Sequence, residues 1–227
     1  SGTSTLTIAP RTASTTIGLA GGAGDLNLTS AELDYLQNGF SSITIGSASA
    51  TGKITIGAYT FNDSLTLING GATSNGGMQF TGAVSVLGGT GGTTNTLTLN
   101  TRGTVTQDSG AGITAYGLEL LGSGGTYTLT DSTNAITNLA GNTGSVSFTE
   151  NSGYTVTTVN TVSMTTTANL VLNGSGGITL AGNITSGAGT QNYTGPITLS
   201  GQAISLSSTN AGITFNRLTS TIDGAQN

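Results

Sequence analysis

The sequence of 227 residues has no cysteine, no histidine and no tryptophan, and it has only two prolines. Zinc, haem, iron–sulfur and blue-copper sites therefore lack their usual ligands. Catalytic triads or dyads that use a histidine base or a cysteine nucleophile are excluded as well. Because no disulfide can form, stability has to come from packing and hydrogen bonding. We expect no metal and no cofactor.

Charge is also scarce. Nine acidic and four basic residues make up 6% of the chain, with a formal net charge of −5, whereas ordinary globular domains contain about 25% charged residues. So few cations cannot neutralise a phosphate backbone, which argues against a nucleic-acid partner. No apolar run approaches the roughly 18 residues that a membrane span needs. The chain starts without Met or a signal sequence, and we interpret it as an internal fragment of a longer protein.

Threonine and glycine are abundant, with 46 and 38 residues, and many threonines lie in short apolar–polar–apolar triplets. Such alternation is typical of a strand with one buried face. The triplets are Leu6-Thr7-Ile8, Leu26-Asn27-Leu28, Ile43-Thr44-Ile45, Ile54-Thr55-Ile56, Leu65-Thr66-Leu67, Val84-Ser85-Val86, Leu97-Thr98-Leu99, Leu118-Glu119-Leu120, Val146-Ser147-Phe148, Val162-Ser163-Met164, Ile178-Thr179-Leu180, Ile197-Thr198-Leu199, Ile204-Ser205-Leu206 and Ile213-Thr214-Phe215.

Gly-Gly and Asn-Gly pairs separate these short strands, because both residue types tolerate the positive φ of tight turns. Two or three strands would form one coil of roughly 20–25 residues, as in solenoid proteins. We predict an all-β, right-handed parallel β-helix of roughly ten coils, forming a single domain over residues 1–227. A β-sandwich is the alternative, because it also uses short strands at this spacing.

One segment breaks the triplet pattern and predicts a short helical insertion near residues 29–37. Thr29 with Glu32 three positions later forms a capping-box pattern. Leu33 and Leu36 would share one face, and Asn38-Gly39 is a typical helix stop. We interpret this segment as a loop that decorates the coil.

Two stretches resemble a known family. Residues 26–33, followed by Ser42-Ile43-Thr44-Ile45-Gly46 and Gly52-Lys53-Ile54-Thr55-Ile56, are similar to repeats of filamentous-haemagglutinin-like large bacterial exoproteins. So is the closing stretch 211–225. Members of that family are secreted, right-handed β-helices, and many are two-partner-secretion adhesins. The resemblance implies a secreted, cell-surface protein.

The nine carboxylates are the main acid–base candidates. Glu119 could lie near a carboxylate of the adjacent coil, and Asp108 near Asp131, as in a glycan-cleaving groove. The basic residues, Arg11, Lys53, Arg102 and Arg217, are widely scattered, and residues 151–216 carry no charge at all. We predict no catalytic site and no enzyme, with a polysaccharide-cleaving β-helix as the alternative.

Two further motifs resemble binding sequences. Residues 21–26 resemble a calcium-binding nonapeptide, but the Asp comes one position early and the unit is not repeated. Threonine ladders such as Thr94-Asn95-Thr96-Leu97-Thr98 could order water on a flat face, which keeps a Thr-array ice-binding protein as another alternative. The simpler interpretation is that Thr is the polar, strand-favouring residue of the outer surface.

The aromatic residues divide into two groups. Phe80, Phe148 and Phe215 occupy triplet positions and are predicted to lie in the core. Tyr127 and Tyr154 are predicted to be core residues with their hydroxyls at the rim. As glycan or surface contacts we select Tyr59, Tyr116 and Tyr193.

Taken with the resemblance, these features predict a structural and adhesive stalk of a secreted bacterial exoprotein. Its expected partners are neutral glycans, cell surfaces or abiotic surfaces, as in a biofilm. Lateral or end-to-end association of copies into filaments is a further expectation, because open strand edges can add strands.

Overall fold

The structure is a computed structural model that describes residues 4–36, 38–71, 76–88, 94–201, 203–216 and 222–223. This part of the chain contains 23 strands and one short helix, α1, at Ser30–Leu33. The strands are β1 Thr5–Ile8, β2 Ile17–Leu19, β3 Leu26–Leu28, β4 Ser42–Ser47, β5 Ile54–Ile56, β6 Tyr59–Phe61, β7 Leu65–Asn69, β8 Met78–Phe80, β9 Val84–Val86, β10 Thr96–Thr101, β11 Thr104–Gln107, β12 Ile113–Leu129, β13 Ala135–Glu150, β14 Tyr154–Val156, β15 Thr165–Thr166, β16 Leu170–Gly174, β17 Ile178–Leu180, β18 Ile184–Ser186, β19 Gln191–Thr194, β20 Ile197–Leu199, β21 Leu206–Ser208, β22 Ile213–Phe215 and β23 Ile222–Asp223.

The strands form one sheet in which they pair in parallel with the strands of the neighbouring turns, so the chain is a β-solenoid. Two faces run along it. The first face contains β1, β4, β7, β10 and residues 117–122 and 138–143, and then divides into β14–β17–β20–β23 and β15–β18–β21. The second face contains β3, β2, β5, β8, β11, residues 126–129 and 145–148, β16, β19 and β22. A shorter third face contains β6, β9 and the starts of β12 and β13.

The solenoid has about seven turns, not the roughly ten expected from repeat length. Where a turn carries no insertion, few residues separate the strands that pair on successive turns. For example, Leu97 pairs with Leu118. In the first turn Leu6 pairs with Ile43, because β2, β3 and α1 lie between them. Insertions of this kind consume residues without adding a turn.

The core consists of inward side chains stacked one per turn. On the second face Ile17, Ile54, Met78 and Val105 lie in register and are buried. A fully buried aliphatic side chain contributes about 1.5–3 kcal/mol relative to an exposed one. Ile54 belongs to a predicted triplet, whereas Ile17 and Val105 were not predicted from the triplets and are buried in the same column.

A column of buried polar side chains lines the inside corner between the first and second faces. Thr101 accepts a hydrogen bond from Gly103 N at 3.0 Å, and Thr143 Oγ1 donates to the carbonyls of Gly122 at 2.9 Å and Gly125 at 3.2 Å. One and two turns later Thr166 and Ser186 donate to carbonyls of their own corners. These hydroxyls satisfy backbone groups that the tight corners leave unpaired.

The predicted helical insertion is present but short. Thr29 caps α1, and its backbone N and hydroxyl both donate to Glu32 Oε2 at 2.8 Å. Leu33 is buried against the core, and Leu36 is half-buried. Gln37, the last residue of the predicted segment, lies outside the described residues.

A hairpin interrupts the regular stack between β14 and β15. Val159 and Val162 form an antiparallel bridge, and the two residues between them, Asn160 and Thr161, have φ values of 47° and 73°. This segment includes the triplet Val162-Ser163-Met164, which was wrongly predicted to be a strand of the stack. The hairpin folds back over the first face, where Asn160 Nδ2 donates to Glu119 Oε2 at 3.1 Å.

Candidate functional site

The three tyrosines selected as surface contacts are not brought together. Tyr116 is 39% exposed beside the third face, and Tyr59 is half-buried in β6. Tyr193 is 0% exposed, so its predicted role as a surface contact is wrong. It occupies an inward position of β19, in register with Leu172 and Phe215, and its hydroxyl donates to Gln191 Oε1 at 2.8 Å.

Tyr59 is tied to the helical insertion. Its hydroxyl donates to Asp34 Oδ1 at 3.0 Å, and its ring packs edge-on against Phe61 with centroids 4.8 Å apart. Burial of the ring, together with the neighbouring Asp34 carboxylate, raises the pKa of Tyr59 to about 12. These contacts hold Tyr59 in place and leave it only partly accessible to a ligand.

The predicted pairing of Glu119 with a carboxylate of the next turn is wrong. Its register neighbours are Thr98 and Ala140. Its Oε2 accepts hydrogen bonds from the Thr98 hydroxyl at 2.7 Å and from Asn160. Glu119 therefore anchors the hairpin.

Asp108 and Asp131 both line a shallow surface hollow of about 300 Å³, so they lie near each other as predicted. Asp131 accepts hydrogen bonds from the Thr133 hydroxyl, from Thr133 N at 2.8 Å and from Gly110 N at 2.6 Å. The hydrogen bond from the Thr133 hydroxyl has the largest effect, and with the bond from Thr133 N it lowers the pKa of Asp131 below its usual value. A carboxylate held ionised in this way is suited to accept hydrogen bonds from a ligand.

A groove of about 830 Å³ lies at the outer side of the second face. We call it the Lys53 groove. Its floor consists of outward residues of β5 and β8, and its wall is the loop between β2 and β3. The lining residues are Thr16, Gly21, Gly22, Ala23, Gly24, Asp25, Lys53, Thr55, Gln79 and Thr81.

The loop that forms the wall packs closely against the strand β5 of the floor. A Cβ on Gly22 would lie 2.1 Å from the carbonyl oxygen of Thr55, so only glycine permits this approach. At the end of the wall, Asp25 Oδ2 accepts the Thr16 hydroxyl at 2.9 Å, and Asp25 N donates to Thr16 Oγ1 at 2.9 Å. The groove is thus shaped by backbone contacts.

A ladder of polar side chains connects the groove to the hollow at Asp108. Lys53 Nζ donates to Gln79 Oε1 at 2.5 Å, and Gln79 Nε2 donates to Asp108 Oδ1 at 2.9 Å. Each step crosses one turn of the solenoid. One continuous surface therefore carries an ammonium, a carboxamide, a carboxylate and several hydroxyls. Together these groups both donate and accept hydrogen bonds.

The calcium-like stretch at residues 21–26 forms the wall of this groove. Among the residues that the structure describes, no three Asp or Glu side chains lie close enough together to hold a metal ion. The described part of the chain also has no helix with the length and apolar character to cross a membrane.

Sequence reasoning missed Lys53 and Gln79 as partners. Lys53 directly precedes Ile54-Thr55-Ile56, and Gln79 is the middle residue of Met78-Gln79-Phe80. These two triplet-like segments pair in register. Aligning those segments would have placed the two side chains on neighbouring turns. Nothing in the sequence signalled that residues 21–25 fold back beside them.

No family model, no curated protein and no solved structure matches this chain.

Proposed function

We propose that this chain is a stiff structural and adhesive rod of a secreted bacterial exoprotein, displayed at the cell surface or in an extracellular matrix. The supporting observation is the single parallel sheet, whose inward side chains stack from turn to turn through the described residues. In such a stack each added turn extends both the backbone ladder and the core. The resemblance of two stretches to exoprotein repeats supports secretion.

The outer surface supports attachment to uncharged partners. Along the second face the outward positions Thr128, Ser147, Val171, Asn192 and Thr214 follow one another in register. These side chains offer hydroxyls, an amide and a methyl surface but no charge. Neutral glycans, cell surfaces and abiotic surfaces are therefore the proposed partners, with lateral association of copies as a further proposed contact.

Bead retention under flow tests this function. Beads coated with the chain are passed over polysaccharide-coated glass, bare glass and bacterial cells, and the control beads carry a Leu118→Asp variant whose core is disrupted. We expect retention of the folded chain to exceed the control on at least one surface. Retention should change little between ionic strengths of about 0.01 M and 1 M, although the Debye length falls from about 30 Å to 3 Å. Retention equal to the control on every surface would exclude the adhesive function.

Ice binding is a second candidate, favoured by a regular hydroxyl array. Thr7, Thr44, Thr66 and Thr98 lie in register on four successive turns of the first face. On each turn a second hydroxyl lies two positions earlier, at Thr5, Ser42, Ser64 and Thr96. The array therefore repeats at about 4.8 Å along the rod and about 6.6 Å across it.

The hairpin limits this array, because Thr98 is only 7% exposed beneath it. Thermal hysteresis measurements test the candidate. Ice binding requires a freezing-point gap that is lost when Thr44 and Thr66 are both replaced by Tyr and is kept in the second-face variant Thr128→Tyr. A wild-type chain without thermal hysteresis is not an ice binder.

A further inference from the structure

We propose that the Lys53 groove is a saccharide-binding site that takes a short segment of a neutral, hydroxyl-rich polysaccharide. This inference rests on the proposed adhesive function and gives it a site and a ligand class. The lining of the groove contains none of the tyrosines that were predicted to be surface contacts.

The size of the groove fits such a segment. Its volume of about 830 Å³ lies within the range of about 300–1,000 Å³ that is usual for small-molecule sites. The groove is open along the second face, so a polymer can enter and leave it without a free chain end. An open groove therefore suits an internal segment of a polysaccharide.

The charge of the lining favours a neutral ligand. The groove contains one cation, Lys53, and one carboxylate, Asp25, so their charges balance. Lys53 Nζ is already bonded to Gln79 Oε1 at 2.5 Å, and Asp108 lies at the next step of the ladder. An acidic sugar in the groove would meet both carboxylates with only one ammonium to offset them.

The polar groups match sugar hydroxyls, which both donate and accept hydrogen bonds. Lys53 offers donors, the carboxylates offer acceptors, and Gln79 and the threonine hydroxyls offer both. The backbone wall at Gly22 is fixed against Thr55, which keeps the site preformed. A preformed site loses less conformational entropy when a ligand binds.

The surface beyond the groove extends the site along the rod. The second face continues through uncharged residues such as Thr128, Ser147 and Asn192. Five strands of about four residues present on the order of 350 Å², well below the roughly 800 Å² per partner that a stable protein interface buries. A polymer that also occupies the groove fits this surface better than a second copy of the chain does.

Isothermal titration of the whole chain with neutral hexasaccharides tests the proposal. The probes are cellohexaose, maltohexaose and mannohexaose, with hexagalacturonate as the acidic comparison. The variant Thr55→Tyr fills the groove from its floor, and Gln79→Ala removes the central amide. The matched control is Thr66→Tyr, which places the same ring at an outward position of the first face.

We expect at least one neutral hexasaccharide to bind the wild-type chain and the Thr66→Tyr control equally well. Affinity should fall at least about tenfold in Thr55→Tyr and in Gln79→Ala, with unchanged circular dichroism and melting temperature. The proposal is overturned if no neutral probe binds, if only hexagalacturonate binds, or if Thr55→Tyr binds like the wild type. Bead retention of the wild-type chain tests the adhesive function separately, so the two can fail independently.

Discussion

At the scale of single residues, two tyrosines of the core differ in whether the buried hydroxyl has a hydrogen-bond partner. Tyr127 and Tyr154 were both predicted to hold their hydroxyls at the rim, and both are buried. The Tyr127 hydroxyl donates to the carbonyls of Leu99 at 2.8 Å and Leu121 at 2.5 Å. The Tyr154 hydroxyl is buried without a hydrogen-bond partner among the described residues. The same residue type is therefore satisfied in one turn and unsatisfied in another.

This contrast predicts opposite effects of removing the two hydroxyls. Tyr127→Phe should lower the free energy of unfolding by about 1–3 kcal/mol, because the carbonyls of Leu99 and Leu121 lose the hydroxyl that they share. Tyr154→Phe should leave it unchanged or raise it by about 1 kcal/mol, because an unsatisfied hydroxyl leaves the core. Urea denaturation of both variants measures the two changes. Equal losses in the two variants would contradict this assignment.

Glu150 makes the stability of the fold depend on pH. Its carboxylate is 0% exposed and accepts hydrogen bonds from Ser152 Oγ at 2.6 Å and Ile136 N at 2.9 Å. Burial raises the pKa of Glu150 above its ordinary 4.5, although both hydrogen bonds act in the opposite direction. The folded chain therefore favours the protonated carboxyl more than the unfolded chain does.

The sign of the effect follows from this preference. The contribution of Glu150 to stability is greatest below about pH 4.5 and is lost as the pH rises through the raised pKa. Glu150→Gln should therefore raise stability at pH 7 relative to the wild type, with little difference at pH 3. Chemical denaturation across this pH range measures the difference. A variant that is less stable at pH 7 would show that the charged form is favoured.

At the scale of elements, the hairpin at 159–162 is the clearest strained feature. A threonine with φ of 73° is unusual, because its branched side chain crowds the backbone in the left-handed region. Val159 packs over Gly117, where a Cβ would lie 3.1 Å from Val159 Cγ1. The packing of Val159 on Gly117 and the hydrogen bond from Asn160 to Glu119 keep the turn in this strained conformation.

Relieving that strain should stabilise the fold. Thr161→Gly is expected to raise the free energy of unfolding by about 1 kcal/mol, because glycine adopts the left-handed region without cost. Thr158→Gly, in the same loop but without positive φ, should lower it by about 0.5–1 kcal/mol. Thermal unfolding of the two variants measures both signs. Destabilisation by Thr161→Gly would mean that the turn is not strained in this way.

The inside corner offers a second test at this scale. Thr143→Val keeps the side-chain volume but removes the hydroxyl that bonds the carbonyls of Gly122 and Gly125. We expect a loss of about 1–3 kcal/mol. Thr44→Val, at an outward position of the first face, is the control and should change stability by less than about 0.5 kcal/mol. An equally small effect at Thr143 would mean that solvent satisfies those carbonyls.

Sequence predicted most elements where polarity alternates cleanly, although Val162-Ser163-Met164 forms no strand and β21 begins only at Leu206. It missed elements where polarity does not alternate. Ile54-Thr55-Ile56 was recognised as a strand because both inward side chains are apolar. Gln191-Asn192-Tyr193 was missed because the buried Gln191 is satisfied by hydrogen bonds to Ser186 and Ser207, which the pattern does not reveal. Polar residues that lie inside the corners break the simple rule that Thr faces outward.

At the scale of the whole molecule, the parallel β-solenoid was predictable but its site was not. Repeated triplets favour stacked turns, because very short strands bury a continuous apolar column when each turn packs on the next. Which turns carry insertions, and where the β2–β3 loop folds, depends on backbone contacts such as that of Gly22 with Thr55. Phe80 and Phe148 are buried as predicted, while Phe215 is half-buried and stacked on Tyr193.

The central claim is that the chain forms one in-register parallel stack, and cross-linking tests it most directly. The chain has no cysteine, so paired substitutions report a single contact. Thr44→Cys with Thr66→Cys joins adjacent turns of the first face, and Thr179→Cys with Thr198→Cys does so nearer the other end of the rod. Thr7→Cys with Thr66→Cys lies two turns apart and serves as the control.

Adjacent turns place the paired Cα atoms about 4.8 Å apart, within the 4.4–6.8 Å that a disulfide spans. We predict that both adjacent pairs oxidise almost completely within the monomer and that the control pair stays reduced. Oxidation of the control pair, or failure of either adjacent pair in a chain that remains folded, would contradict the stack described here.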